Sequence, residues 1–118
     1  MISLLLLINV NQCTTGTAYH YAPGVMEQTV KHRQQAYGQL LGWAQDYVAV
    51  ASCDMIGAEV YLVLPDGQVG GPFMVADCLT RDRAHHSNFV VDLSWNLAKK
   101  YHTEWQVLEP VAVCGRKQ

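Results

Sequence analysis

Two short apolar runs, each with an aspartate at or near its end, most constrain the fold of this chain. The first follows a Gly-Gly-Pro turn and reads Phe-Met-Val-Ala-Asp over residues 73–77. The second reads Phe-Val-Val-Asp-Leu over residues 89–93. Valine and phenylalanine suit a pleated, half-buried surface, so both runs predict buried strands. Because a carboxylate beside a buried strand is costly to desolvate, Asp77 and Asp92 each need a partner or a chemical role.

Turn-forming residues also separate the other predicted strands and helices of the chain. The pattern predicts strands at residues 16–21, 47–51, 59–64 and 105–114, and helices at residues 25–41 and 94–101. Pro65-Asp66-Gly67 predicts a hairpin with a type I′ turn, and Pro110 requires a sheet edge or a bulge. Many short strands with few helices predict a mainly β fold, and a closed barrel removes the exposed edges of so small a sheet.

The length and net charge of the chain limit the classes of function that it can have. The 118 residues fit one domain, and the formal net charge is −2, with no basic block longer than Lys99-Lys100. Nucleic-acid binding depends on clustered cations, so we expect no nucleic-acid partner. We also expect no cofactor and a monomer.

The N-terminal apolar run is too short to span a bilayer. We interpret residues 1–12 as a weak or truncated secretory signal, although the run lacks a basic leader and a small-residue cleavage site. Residues 13–118 then form the folded domain. The alternative is an additional N-terminal strand of the mature protein.

Four cysteines, Cys13, Cys53, Cys78 and Cys114, indicate disulfides in an oxidising compartment. No pair has C-x-x-C spacing, so we expect no metal site on these thiols. Of the three pairings, we favour Cys53 with Cys78 and Cys13 with Cys114, because each joins segments expected to be neighbours. Buried free thiols in a cytosolic protein are the alternative. The disulfide interpretation predicts a secreted, periplasmic or cell-envelope protein.

Four segments, in this order, resemble the double-psi β-barrel superfamily. They are Gly16-Thr17-Ala18-x-x-Tyr21, Ile56-Gly57-Ala58-Glu59-Val60, Val75-Ala76-Asp77 and Val91-Asp92-Leu93-Ser94. Their order and spacing are similar to those of rare-lipoprotein-A-like domains and the first domain of expansins. The same barrel occurs in family-45 endoglucanases and MltA-type lytic transglycosylases. The resemblance covers residues 16–114 and implies a small six-stranded barrel with one or two short helices and a groove for a glycan strand.

The resemblance also implies roles for particular residues. Asp77 resembles the single aspartate that serves lytic transglycosylases first as acid and then as base. Asp92 resembles the acid of the endoglucanases and expansins, and Tyr21 resembles an aromatic residue of the groove. The chain departs from the pattern at residues 24–42, where a helical segment carrying His32 and Arg33 replaces a Gly- and Thr-rich groove segment. This departure predicts a reshaped or partly closed groove.

The two aspartates are therefore the candidate catalytic residues. Glycoside cleavage needs a carboxylic acid that donates a proton to the leaving oxygen, and a second carboxylate at a suitable separation selects the stereochemical outcome. The structural alternatives are that Asp77 accepts loop N–H groups and that Asp92 stabilises the start of the following helix, with Ser94 as its N-cap.

The candidate substrate-binding residues are Tyr19, Tyr21, His85 and His86. In a strand, Tyr19 and Tyr21 share one face and offer a stacking surface for sugar, or else pack in the core. His85 and His86 lie in a polar loop and could assist binding or simply be solvated. We expect the three tryptophans to be core residues, with Trp95 the most exposed of them and Trp43 and Trp105 buried.

Together these features predict a barrel that acts on a polysaccharide, with peptidoglycan as the favoured substrate. The predicted activity is that of a lytic transglycosylase or glycosidase in which an aspartate is the general acid. One alternative is an expansin-like module that binds glycan without cleaving it. Another is a barrel that binds or inhibits a protein.

Overall fold

The computed structural model describes residues 10–37, 46–79 and 88–116. The strands are β1 (Val10–His20), β2 (Tyr47–Val50), β3 (Glu59–Val63), β4 (Val69–Cys78), β5 (Phe89–Leu93) and β6 (Leu108–Arg116). The helices are α1 (Val25–Tyr37), α2 (Trp95–Lys100) and a 3₁₀ turn at Cys53–Met55. The predicted mainly β fold with two short helices is confirmed.

The six strands close into one barrel in the order β1-β5-β2-β4-β3-β6. Two neighbouring pairs are parallel, β1 with β5 and β2 with β4, and the other four are antiparallel. Among these six described strands, closure leaves no exposed edge, as predicted. Within the described residues, no helix is long and apolar enough to cross a membrane.

Apolar side chains from all six strands, most of them branched aliphatic, fill the barrel. Because side chains alternate across a strand, every second residue points inward. The inward-facing strand residues form one buried cluster, which includes Ala18, Val48, Val50, Val60, Leu62, Phe73, Val75, Val91, Leu93, Val111 and Val113. The predicted core strands at residues 73–77 and 89–93 therefore supply the barrel interior.

A second, smaller cluster lies on the outer face of the barrel wall. Helix α1 places Met26 and Val30, four residues apart, against the outward-facing side chains of β2 and β4. That outer layer comprises Tyr47, Ala49, Met74, Ala76 and Leu79, with Tyr21 and Phe89 at its margin. Helix α1 thus covers part of the barrel wall that would otherwise face solvent.

Three local features refine the sequence-based predictions. The hairpin at Pro65-Asp66-Gly67 forms. Leu64 N–H donates to Gln68 O, and Gly67 N–H donates to Leu64 O. These bonds define a three-residue loop and not the predicted two-residue type I′ turn. Gly67, at φ +91°, occupies the left-handed position of that loop. Pro110 lies at a bulge, because the register changes from Gly16 opposite Val111 to Ala18 opposite Leu108.

Both disulfides have the favoured pairing. Cys13 and Cys114 are direct cross-strand partners of β1 and β6 and are bonded to each other. Cys53 and Cys78 join the 3₁₀ turn to the end of β4. Strand β1 begins at Val10 rather than at residue 16, because residues 10–16 pair with β6.

Candidate functional site

The two aspartates lie in one row across the barrel wall. Ala49 of β2 is the register partner of Asp92 on one side and of Asp77 on the other. Paired residues of neighbouring strands direct their side chains to the same face. Two strand spacings separate the two Cα atoms, a distance of about 10 Å. Residues 15 positions apart in the sequence therefore share one small area of the molecule.

This area is on the outside of the barrel, beneath α1, and not in its interior. Val91 and Leu93 belong to the interior cluster, so Asp92 between them points outward, toward the cluster that contains Ala49. Asp92 is 0% exposed. In this structure its carboxylate therefore does not reach a ligand in solvent.

Asp77 is held by two side chains from other elements. The Tyr21 hydroxyl donates to Oδ2 of Asp77 at 2.6 Å, and Nη2 of Arg33 donates to Oδ1 at 2.8 Å. The Arg33 contact is also an ion pair, in which 17% of the Asp77 side chain and 32% of the Arg33 side chain are exposed. Both carboxylate oxygens are thus occupied as acceptors at a partly exposed position. We call Tyr21, Arg33 and Asp77 the Asp77 cluster.

Local sequence explains how these three residues meet. Tyr21 directly follows β1, and its N–H donates to Leu93 O, which holds it against the end of β5. The Ala-Pro-Gly turn that follows, with Gly24 at φ +81°, starts α1. Arg33 lies three residues beyond the buried Val30 and seven beyond the buried Met26, which places it on the barrel-facing side of the helix.

Arg33 belongs to the Asp77 cluster but is not among the residues that the sequence motifs single out. It lies in the helical segment at residues 24–42 that departs from the pattern of the resembling families. The spacing of Met26, Val30 and Arg33 indicates that the three share one side of the helix.

The other predicted site residues have different surroundings. Tyr19 stacks on Phe89, with ring centroids 5.3 Å apart and an interplanar angle of 11°, so part of its aromatic surface is already used within the protein. Tyr21 uses its hydroxyl on Asp77. His85 and His86 lie outside the described residues. Burial raises the pKa of the Tyr47 hydroxyl in the outer cluster.

The disulfide Cys53–Cys78 adjoins the Asp77 cluster. Cys78 follows Asp77 in β4, and Nη2 of Arg33 approaches Sγ of Cys78 at 4.0 Å. The bond therefore restrains the end of β4 where Asp77 is presented. Within residues 10–37, 46–79 and 88–116, no three His, Cys, Asp or Glu side chains converge as metal ligands would.

Helix α2 begins as predicted, with Ser94 as its N-cap. The Ser94 side chain accepts from Leu97 N–H at 3.2 Å. The preceding Leu93 points into the barrel, and Trp95 opens the helix at an intermediate exposure. Asp92 thus lies two positions before the N-cap, with Leu93 between them, and Ser94 supplies the capping oxygen.

Trp105 contradicts the expectation of a buried core residue, since it is 90% exposed. It lies between α2 and β6, in a turn that the Thr103 hydroxyl closes by donating to Gln106 O. Trp95 is the partly buried tryptophan and packs against His20, with ring centroids 5.5 Å apart. Trp43 lies outside the described residues.

No protein-family model, curated protein or solved structure matches this chain.

Proposed function

We propose that this chain is a double-psi-type barrel that binds a polysaccharide at the Asp77 cluster. The polysaccharide we favour is peptidoglycan, and the setting is extracellular, periplasmic or the cell envelope. The two disulfides support an oxidising compartment, in which such bonds persist. The single observation that carries the proposal is the ion pair and hydrogen bond that present Asp77 at the surface, between Arg33 and Tyr21.

The strand connections support the superfamily assignment. The chain segment from β1 to β2 joins strands that are separated by β5 in the barrel, and the segment from β4 to β5 joins strands separated by β2. The strands that these two segments join alternate around the barrel in the order β1-β5-β2-β4, and the pairs β1/β5 and β2/β4 are parallel. A closed six-stranded barrel is what the resemblance implies.

Glycan binding is favoured over hydrolysis by two carboxylates because the second carboxylate, that of Asp92, is fully buried. A glycosidase that uses two carboxylates needs one at the leaving oxygen and the other at the anomeric carbon or at the water that attacks it. Asp92 is 0% exposed, so only Asp77 is available at the surface. By contrast, an aspartate, a guanidinium and a phenol together offer the donors and acceptors that sugar hydroxyls require.

The partial exposure of Asp77 favours one second candidate, a lytic transglycosylase that uses a single aspartate. In that reaction Asp77 would protonate the glycosidic oxygen and then accept a proton from the sugar's own hydroxyl, so no second carboxylate is required. The Tyr21 or Arg33 contact would have to yield one oxygen of Asp77 to the substrate.

One experiment separates the two candidates. Purified sacculi are incubated with wild type, with Asp77→Asn and with Arg33→Gln, and both cosedimentation and release of soluble muropeptides are measured. The binding proposal predicts cosedimentation without release for wild type, retained binding for Asp77→Asn, whose amide oxygen still accepts, and weaker binding for Arg33→Gln. Release by wild type that is abolished in Asp77→Asn would establish the transglycosylase instead.

Lys31→Gln is the matched control, because Lys31 is an exposed cation on the same helix. It should bind sacculi as wild type does. If wild type failed to cosediment with sacculi or with other insoluble glycans, the function proposed here would be wrong, and a protein-binding role would take its place.

A further inference from the structure

Trp105 is an exposed indole on a rigid support. The turn that carries it is closed by the Thr103 hydroxyl, which donates to Gln106 O at 2.6 Å. Thr103 itself is 2% exposed, and its N–H donates to Ala98 O. The next residue is also fixed, since the ring of His20 and the carbonyl of Glu104 share a hydrogen bond of 2.8 Å. The side chain of Trp105 is thus displayed by an anchored backbone.

The end of β1 contacts both the turn that carries Trp105 and the Asp77 cluster. His20, the last residue of β1, contacts the Trp105 turn, and Tyr21, the next residue, contacts Asp77. The ring of His20 is itself packed on Trp95. The two exposed features are therefore connected through two consecutive residues of one strand end.

The area of the exposed apolar surface at Trp105 indicates what kind of ligand fits it. Among the described residues, the large hydrophobic side chains that are exposed are Val25, Trp105 and Val107, at 45%, 90% and 43%. Trp105 and Val107 lie in the same loop, and Val25 begins α1. One indole presents at most about 250 Å², whereas a protein partner needs about 800 Å² on each side. The surface fits a ligand with one flat apolar face.

The residues next to Trp105 in the sequence are polar. His102, Glu104 and Gln106 carry an imidazole, a carboxylate and an amide; His102 and Gln106 are exposed, and Glu104 is half-buried. A pyranose has a face of C–H bonds with slight positive charge, which is attracted to the negative face of an aromatic ring, and a rim of hydroxyls that need hydrogen-bond partners. The exposed indole offers the aromatic face, and the polar residues adjacent to it in sequence offer donors and acceptors.

We propose that Trp105 is a stacking platform for a pyranose ring, flanked by hydrogen-bonding groups from Glu104 and Gln106. This assignment rests on the function proposed above and extends it: the ligand would be a β-linked glycan with one sugar face against Trp105. An isolated aromatic platform gives weak, rapidly reversible binding of single sugars, so oligosaccharides are the suitable probe.

The test is a titration of ¹⁵N-labelled protein with chitohexaose, observed at the indole N–H signals. Trp105→Phe identifies the Trp105 signal by its disappearance. The assignment predicts a saturable shift of that signal in wild type, retention of most of the affinity in Trp105→Phe, and affinity about tenfold weaker in Trp105→Leu, which keeps an apolar group but removes the ring. Val25→Ala, at the other exposed hydrophobic position, should bind as wild type does.

The outcomes separate this assignment from the function on which it rests. If Trp105→Leu bound chitohexaose and sacculi as tightly as wild type while Arg33→Gln did not, the platform would be refuted and the glycan-binding function would stand. If wild type bound neither chitohexaose nor sacculi, both would be refuted. Because Trp105 is almost fully exposed, we expect Trp105→Leu to unfold at the same urea concentration as wild type, which excludes misfolding as the cause of lost affinity.

Discussion

The Tyr21 hydroxyl donates a hydrogen bond of 2.6 Å to Oδ2 of Asp77, across 56 positions of sequence. Tyr21 ends the first of the four segments that resemble the double-psi superfamily, and Asp77 ends the third. The contact therefore joins two features that the sequence presents as separate motifs. It also gives a physical reason for an aromatic residue with a hydroxyl at position 21.

Tyr21→Phe should weaken glycan binding several-fold while leaving the fold intact. The substitution keeps the ring but removes the donor, so Oδ2 of Asp77 loses an oriented partner, and the stability cost should be about 1 kcal/mol. Tyr19→Phe is the control, since it removes a tyrosine hydroxyl two positions earlier, in β1, but keeps the stack on Phe89. Cosedimentation with sacculi and urea unfolding provide the two measurements. Equal binding by Tyr21→Phe and wild type would remove Tyr21 from the site.

Arg33→Gln should lower the free energy of unfolding by about 1 kcal/mol. This value exceeds that of many surface ion pairs because Asp77 is only 17% exposed, but it is far below the cost of breaking a fully buried pair, because a third of Arg33 is exposed. The difference from wild type should shrink as sodium chloride is raised, since salt screens partly exposed charges.

Urea unfolding at low and high salt measures this effect, and Lys31→Gln on the same helix is the comparison. A loss of stability in Arg33→Gln that did not depend on salt would indicate a packing role for the arginine stem instead of an ion pair.

Gly16→Ala should be strongly destabilising, by about 3 kcal/mol. A Cβ atom at Gly16 would lie against the backbone carbonyl of Asn88, the same carbonyl that accepts from Thr17 N–H at 2.5 Å. The glycine thus lets β1 approach the chain just before β5, and this explains why the first motif begins with it.

Gly115→Ala is the matched control for that substitution. Gly115 is also a strand glycine, but its added Cβ would meet Cε of Met55 at 3.5 Å, an ordinary contact. We expect its free energy of unfolding to stay within about 1 kcal/mol of wild type. Similar losses in both variants would mean that the close approach at Asn88 relaxes without cost.

The fold was predictable because its signals are local. Alternating valines, the turn at residues 65–67 and the Pro110 bulge each depend on a few adjacent residues. The predicted turn geometry was wrong, since Gly67 is the third residue of a three-residue loop and not the second residue of a two-residue one. A dipeptide such as Asp66-Gly67 fits both loops, and strand register decides between them.

The site was less predictable because it depends on contacts between distant elements. The sequence located Asp77 and Tyr21, but their hydrogen bond depends on how β1 and β4 are arranged around the barrel. Burial of Asp92 depends on its facing outward toward the cluster under α1. Trp105 was expected in the core because tryptophan is usually buried, and only the anchored turn at residues 103–106 reveals its exposure.

The two disulfides should differ in their effect on function. Chain-entropy estimates give about 4.7 kcal/mol for closing a loop as long as that of Cys13–Cys114 and about 3.5 kcal/mol for that of Cys53–Cys78, since the bonded residues are 101 and 25 positions apart. We therefore expect Cys13→Ala/Cys114→Ala to lower stability at least as much as Cys53→Ala/Cys78→Ala.

Glycan binding should follow the opposite order. Cys78 adjoins Asp77 and lies 4.0 Å from Nη2 of Arg33, so loss of Cys53–Cys78 frees the end of β4 and should weaken binding even where the protein remains folded. Cys13–Cys114 joins β1 to β6, which carry neither Asp77 nor Arg33, so its loss should leave binding unchanged below the unfolding transition. Cosedimentation at low temperature, with folding checked by circular dichroism, measures both effects. Equal loss of binding in the two double variants would show that the Asp77 cluster responds to global stability and not to the anchoring of β4.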